Sequence, residues 1–115
     1  MQETASPQPT NLIDVSTLEA GKVWWKGRAI SGYSTYCATP MIPVIPGETY
    51  WLYRYGASQN YCCYFDENKT YVTQEIWSSA HVSPSGETKQ IPSGVYYIGI
   101  SIELARKDEA IFMHV

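Results

Sequence analysis

The sequence predicts an all-β fold, an antiparallel two-sheet β-sandwich of jelly-roll-like character, and three observations carry that expectation. From residue 11 onward apolar and polar residues alternate in short runs, and no segment sustains the period of 3.6 that marks a helix. Turn formers separate those runs at Pro46-Gly47, Asp66-Glu67-Asn68-Lys69, Gly86 and Pro92-Ser93-Gly94. A length of 115 residues gives one domain, whose folding buries roughly two-thirds of the surface of its unfolded chain, enough for a core between two sheets.

In chain order, residues 1–10 carry Pro7 and Pro9 among small and polar side chains and read as a flexible linker. The binding domain then spans 11–115. Its expected strands are 12–15, 22–30, 34–38, 41–44, 49–55, 61–65, 70–76, 88–91, 95–104 and 110–114. Pro43 and Pro46 each lack a backbone donor, so 41–44 suits an edge or a strand end. Asp66-Glu67-Asn68-Lys69 joins 61–65 to 70–76 as a hairpin. Arg106-Lys107-Asp108 forms a polar loop before the closing strand.

Alternation assigns faces within these strands. In 95–104, Tyr96, Ile98, Ile100 and Ile102 form the core side. In 49–55, Tyr50, Leu52 and Arg54 share one face, while Trp51, Tyr53 and Tyr55 line the other. Arg54 reads as a solvated strand charge. In 22–30, Val23, Trp25 and Ala29 form the core side, and Trp24 lies with Lys26 and Arg28 on the polar side as an exposed aromatic. Vicinal Cys62 and Cys63 point to opposite sheet faces.

The net charge of -3 is spread along the chain without a basic cluster, so the counterion-release term behind nucleic-acid affinity has no source. No apolar run approaches the ~20 residues of a membrane helix, and the first residues lack the basic and apolar regions of a secretory signal. The expected partners therefore include neither nucleic acid nor membrane. Three cysteines, Cys37, Cys62 and Cys63, cannot all pair within one chain, which favours reduced, packed thiols. His81 and His114 are isolated and lie far from any CxxC pair, so neither a metal site nor a cofactor is expected. No GxSxG, HExxH, phosphate-binding loop or dinucleotide fingerprint occurs, so no catalytic residue is assigned and the chain reads as a non-enzyme.

The aromatic inventory is the functional signal: four Trp and ten Tyr stand against two Phe, favouring rings that join an apolar plane to a hydrogen-bonding edge. A sugar packs its C–H face on such a ring while its hydroxyls meet polar neighbours. Trp51, Tyr53 and Tyr55 recur at every second residue, about 7 Å apart along a strand, a spacing that tracks an extended glycan or polypeptide. Packing against a second sheet or a partner chain is the commoner fate of such a stripe. Trp24 and Arg28 on a polar face, with Tyr33 and Trp77 at strand ends or in loops, complete the candidate ligand-binding set.

Four segments carry a resemblance to a known group of proteins: Asn11-Leu12-Ile13-Asp14, Ile42-Pro43-Val44-Ile45-Pro46-Gly47-Glu48-Thr49-Tyr50, Tyr64-Phe65-Asp66-Glu67-Asn68-Lys69, and Val95-Tyr96-Tyr97-Ile98-Gly99-Ile100-Ser101. In these the chain resembles the β-sandwich, jelly-roll modules of phage tail-fibre, baseplate and head-fibre proteins, which are similar in outline to carbohydrate-binding modules. The resemblance implies a non-catalytic module on a virion or an extracellular protein, binding a cell-surface glycan or polysaccharide. Its alternative is a structural or oligomerisation domain of a fibre, baseplate or capsid decoration, partnered by its own copies in a trimer or by other virion proteins.

Overall fold

A computed structural model describes residues 10–55, 61–77 and 86–115. All but the last residue of the expected linker, and His81, fall outside these. The chain forms an antiparallel β-sandwich of strands β1 (Glu19–Ala20), β2 (Lys22–Trp25), β3 (Arg28–Ser31), β4 (Tyr36–Ala38), β5 (Ile42–Pro43), β6 (Thr49–Tyr53), β7 (Tyr61–Phe65), β8 (Tyr71–Ile76), β9 (Glu87–Gln90), β10 (Tyr97–Glu103) and β11 (Ile111–His114). The larger sheet runs β1-β4-β10-β7-β8, with β5 also paired to β10; the smaller runs β11-β6-β9; β2 and β3 form a separate hairpin. Every pairing is antiparallel. The late strand β10 lies between the earlier strands β4 and β7 of the larger sheet.

The core between the sheets follows from the alternation. Ile98, Ile100 and Ile102 of β10 and Cys62 and Tyr64 of β7 face Tyr50 and Leu52 of β6 and Phe112 of β11. Tyr50 and Phe112 stack with ring centroids 5.1 Å apart. Tyr96, expected on the isoleucine face, instead precedes β10 and is exposed, although its N–H donates to the Phe65 carbonyl (2.8 Å) and its carbonyl accepts from Val44 N (2.9 Å). Cys62 enters the core and Cys63 the opposite side of the larger sheet, and all three cysteines are free and buried.

The turns close as their chemistry requires. Asp66 Oδ1 accepts from the backbone N–H groups of Asn68 (2.8 Å) and Thr70 (2.9 Å), with Lys69 in the left-handed region at φ 65°. Gly47 takes φ 85° while the Glu48 N–H donates to the Ile45 carbonyl. The expected strand over 12–15 is not one. Asn11 stitches this segment to β11, its Oδ1 accepting from Phe112 N and Ile13 N at 3.0 Å, and Asp14 then caps a 3-10 turn over Val15–Thr17. The expected polar loop at 106–108 lies within a kinked 3-10 segment, Leu104–Glu109.

The largest correction concerns 22–30, which is a hairpin rather than a single strand. Lys26 (φ 48°) and Gly27 (φ 89°) both take positive φ, the geometry of a two-residue turn matched to the twist of its strands. The turn folds β3 back on β2, pairing Trp24 with Ala29 and Trp25 with Arg28. The hairpin lies across the outer face of the larger sheet, β2 crossing β4, β7 and β10. Trp24, expected to be exposed, is therefore buried, and Trp25, expected in the core, is 39% exposed. The turn breaks the expected alternation: Ala29 joins Trp24 against the sheet, Arg28 stands opposite Trp25, and Val23 is buried as expected.

Trp24 is fixed on every side. Its backbone N–H donates to Ser101 Oγ (2.8 Å) and its indole Nε1 to the Thr39 carbonyl (2.8 Å). Phe65 meets it edge-on at 5.4 Å. A Cβ at Gly99 would fall 2.5 Å from the indole, so the absence of a side chain there makes the seat. At the tip, Lys26 N donates to Gln74 Oε1 (2.9 Å) and Gly27 N to Cys63 Sγ (3.3 Å), which ties the turn to β7 and β8.

Candidate functional site

Among the described residues, no element crosses the outer face of the smaller sheet in this way. On β6, Tyr50 and Leu52 point into the core, so Trp51 and Tyr53 point out, followed by Tyr55 just past the strand; all three are half-buried. Their rings form a continuous row. Trp51 and Tyr53 lie nearly parallel, 5° apart with centroids at 5.8 Å, and Tyr53 meets Tyr55 edge-on at 6.4 Å. Arg106 closes the row, its guanidinium carbon 3.9 Å from the Tyr55 ring centre and its Nε held by Glu109 Oε2 at 2.9 Å. Desolvation by the neighbouring rings, then the charge and hydrogen bond of Tyr55, push the Tyr53 phenol above its ordinary range. Hydrogen bonding to Glu109 raises Arg106 further, so the cation is permanent.

At the other end of the row a groove of about 430 Å³ opens beside Trp51, lined also by Thr88, Met113, His114 and Val115. The register explains this set: Trp51 is the cross-strand partner of Met113 on β11 and of Thr88 on β9, so the three side chains share one face. Gly86 rests against the indole. His114 Nε2 and Glu48 Oε1 lie 3.0 Å apart at the rim. Among the described residues the Trp51 indole N–H has no hydrogen-bond partner. The groove thus joins an aromatic plane and two aliphatic side chains to an indole donor, a hydroxyl and a polar pair.

The other candidates divide. Trp77 is completely buried: its Nε1 donates to the Tyr64 hydroxyl (3.1 Å) and its ring meets Phe112 edge-on, so it is core rather than site. Trp24 is removed by the hairpin packing described above. Arg28 is exposed and Tyr33 half-buried, both on the hairpin side of the molecule, opposite the aromatic row. The structure therefore brings Trp51, Tyr53 and Tyr55 together and separates them from Trp24, Arg28, Tyr33 and Trp77.

Arg54 corrects a further expectation. It is completely buried, its Nε donating to the Ser101 carbonyl (2.9 Å) and its Nη1 to the Trp77 carbonyl (2.7 Å), with Cys62 Sγ 4.0 Å from Nη2. Burial lowers its pKa, yet guanidinium stays charged in proteins. The side chain bolts β6 to the larger sheet from beneath the aromatic row. Sequence reasoning missed Met113, Thr88 and His114, from β9 and β11: the pairing register brings Met113 and Thr88 beside Trp51, while His114 lies opposite Tyr50 at the end of the groove. Among the described residues no three His, Cys, Asp or Glu side chains are placed to hold a metal ion. Comparisons with protein-family models, curated proteins and solved structures return no match.

Proposed function

We propose that this chain is a non-catalytic carbohydrate-binding or receptor-binding module that takes a glycan on the outer face of its smaller sheet. The carrying observation is the row of Trp51, Tyr53 and Tyr55, crossed by no element among the described residues, running into a groove with polar rims. Ring planes supply apolar contact for the C–H faces of successive sugars, and Thr88, His114 and the Trp51 indole N–H supply partners for hydroxyls. Arg106 at the far end extends the polar rim. The chain's resemblance to phage fibre and baseplate modules suits the same role, with a cell-surface glycan or polysaccharide as ligand and a virion or extracellular protein as the setting.

A glycan array followed by calorimetric titration tests this. The expected dissociation constant lies between about 10 μM and 1 mM, as for shallow sites that gain little per contact. Trp51→Ala is expected to weaken binding at least about tenfold, the value of one aromatic contact.

A second reading is favoured by Met113, Ile111 and Val115 beside the row, Val115 being 70% exposed. On that reading the face is a self-association surface of a fibre or capsid decoration. A stable trimer in sedimentation that Trp51→Ala dissociates, together with no binding across a broad array, would select it over the glycan.

A further inference from the structure

The β2–β3 hairpin carries a second cleft, of about 280 Å³, lined by Val23, Trp25, Ile30 and Tyr33 on the side of the molecule away from the aromatic row. Register places its components: Val23 pairs with Ile30 and Trp25 with Arg28, and directly opposed residues of an antiparallel pair share a face. Arg28 therefore stands across the ladder from the exposed Trp25 ring. Tyr61 braces that ring edge-on at 5.4 Å, and the Lys26 ammonium lies 5.5 Å from its centre.

The local charge is opposite to that of the chain. Residues 22–31 hold Lys22, Lys26 and Arg28 and no carboxylate, within a protein of net charge -3. Lys22 is occupied by Glu19 at 3.6 Å. Among the described residues Lys26 and Arg28 have no carboxylate within salt-bridge distance. The cleft is just under the roughly 300–1,000 Å³ of common ligand sites, which limits its occupant to about one ring. Two cations are too few to hold a nucleic-acid backbone, where affinity rises with every phosphate neutralised.

The geometry points to a second glycan site on the hairpin, selective for a carboxylated sugar: Trp25 stacks the ring, Arg28 takes the carboxylate through its planar fork, and Lys26 adds long-range attraction. It is independent of the site on the smaller sheet, since no residue is shared between the two.

The test is a titration of the full isotope-labelled chain, followed through the indole N–H signals of Trp25 and Trp51. The probes are trigalacturonate, its carboxyl-reduced neutral counterpart, and inorganic phosphate. The Trp25 signal is expected to move with trigalacturonate, to respond at least about tenfold more weakly to the neutral sugar, and to lose about tenfold in affinity in Arg28→Gln, whose exposed position leaves the fold intact. Trp25→Ala is expected to abolish the response of the remaining backbone signals of β2 and β3. The inference is overturned if Trp25 does not move at millimolar trigalacturonate, if acidic and reduced sugars bind alike, if phosphate alone binds as tightly, or if Arg28→Gln matches the parent. Movement of Trp51 with neutral sugars reports on the smaller sheet and is read separately.

Discussion

The two outer faces of the sandwich carry the same kind of residue and meet opposite fates. Trp24 on the larger sheet's side is roofed by its own hairpin, seated over Gly99, with its indole N–H bonded to Thr39. Trp51 on the smaller sheet has a strand partner on either side, no partner for its indole N–H among the described residues, and a groove beside it. A tryptophan's place in an alternating strand therefore says which face it is on. Whether that face is interior depends on whether another element crosses it, as β2 crosses the larger sheet.

The largest expected effect separates the two tryptophans directly. Trp24→Ala should destabilise the fold by about 3–5 kcal/mol, the range for removing a large buried ring, whereas Trp51→Ala should cost less than about 1 kcal/mol of stability while abolishing most ligand affinity. Denaturant midpoints of both variants check this, and equal losses would erase the distinction between the faces. Gly99→Ala should reproduce part of the Trp24 effect, about 1–3 kcal/mol, because its methyl meets the indole at 2.5 Å.

Next comes the support beneath the open face. Arg54→Met keeps most of the stem volume but leaves the Ser101 and Trp77 carbonyls without their donor, an expected loss of about 3 kcal/mol. Ligand affinity should fall with it, as the strand bearing Trp51 and Tyr53 loses its anchor. Affinity retained at a temperature where the variant is folded would show that the row is held by the sheet alone.

The smallest effects are read at the thiols. Cys63 lies under the hairpin and Cys62 in the core, and burial raises both, Cys62 to about 12 from an ordinary 9. Neither should react with iodoacetamide at pH 8 in the native protein, while in Trp24→Ala Cys63 alone should become reactive. Because the folded thiols titrate above the unfolded ones, their contribution to stability is complete below pH 9 and is lost as pH rises from 9 toward 12. Melting temperature should fall through that window, and less steeply in Cys62→Ala.

Much of the fold was legible because its signals are local. Strand β7 lies where its apolar run placed it, the Asp66 turn uses the residues that predicted it, and β10 buries the isoleucines of its alternation. That Trp51, Tyr53 and Tyr55 share one face was legible for the same reason, whereas alternation alone favoured that face being packed. What the sequence did not disclose was non-local. The positive φ of Lys26 breaks the expected long strand, since only Gly27 advertises the turn. Trp24 and Trp25 exchange roles because the cover is chosen by tertiary docking. Arg54 looks solvated until Ser101 and Trp77, distant in sequence, are brought to it. The groove needed the pairing of β6 with β9 and β11, which no short motif encodes.

The placement of β10 sets a timetable for assembly. Tyr97–Glu103 joins β4 and β5 along one border to β7 along the other, so the larger sheet has no middle until almost the whole chain is available. A nascent chain stopped before residue 97 would hold β4 and β7 with bare hydrogen-bonding edges and their isoleucine counterparts missing. Sheet closure must then follow synthesis of β10, and such long-range pairings put folding on the millisecond-to-second scale of sandwich proteins.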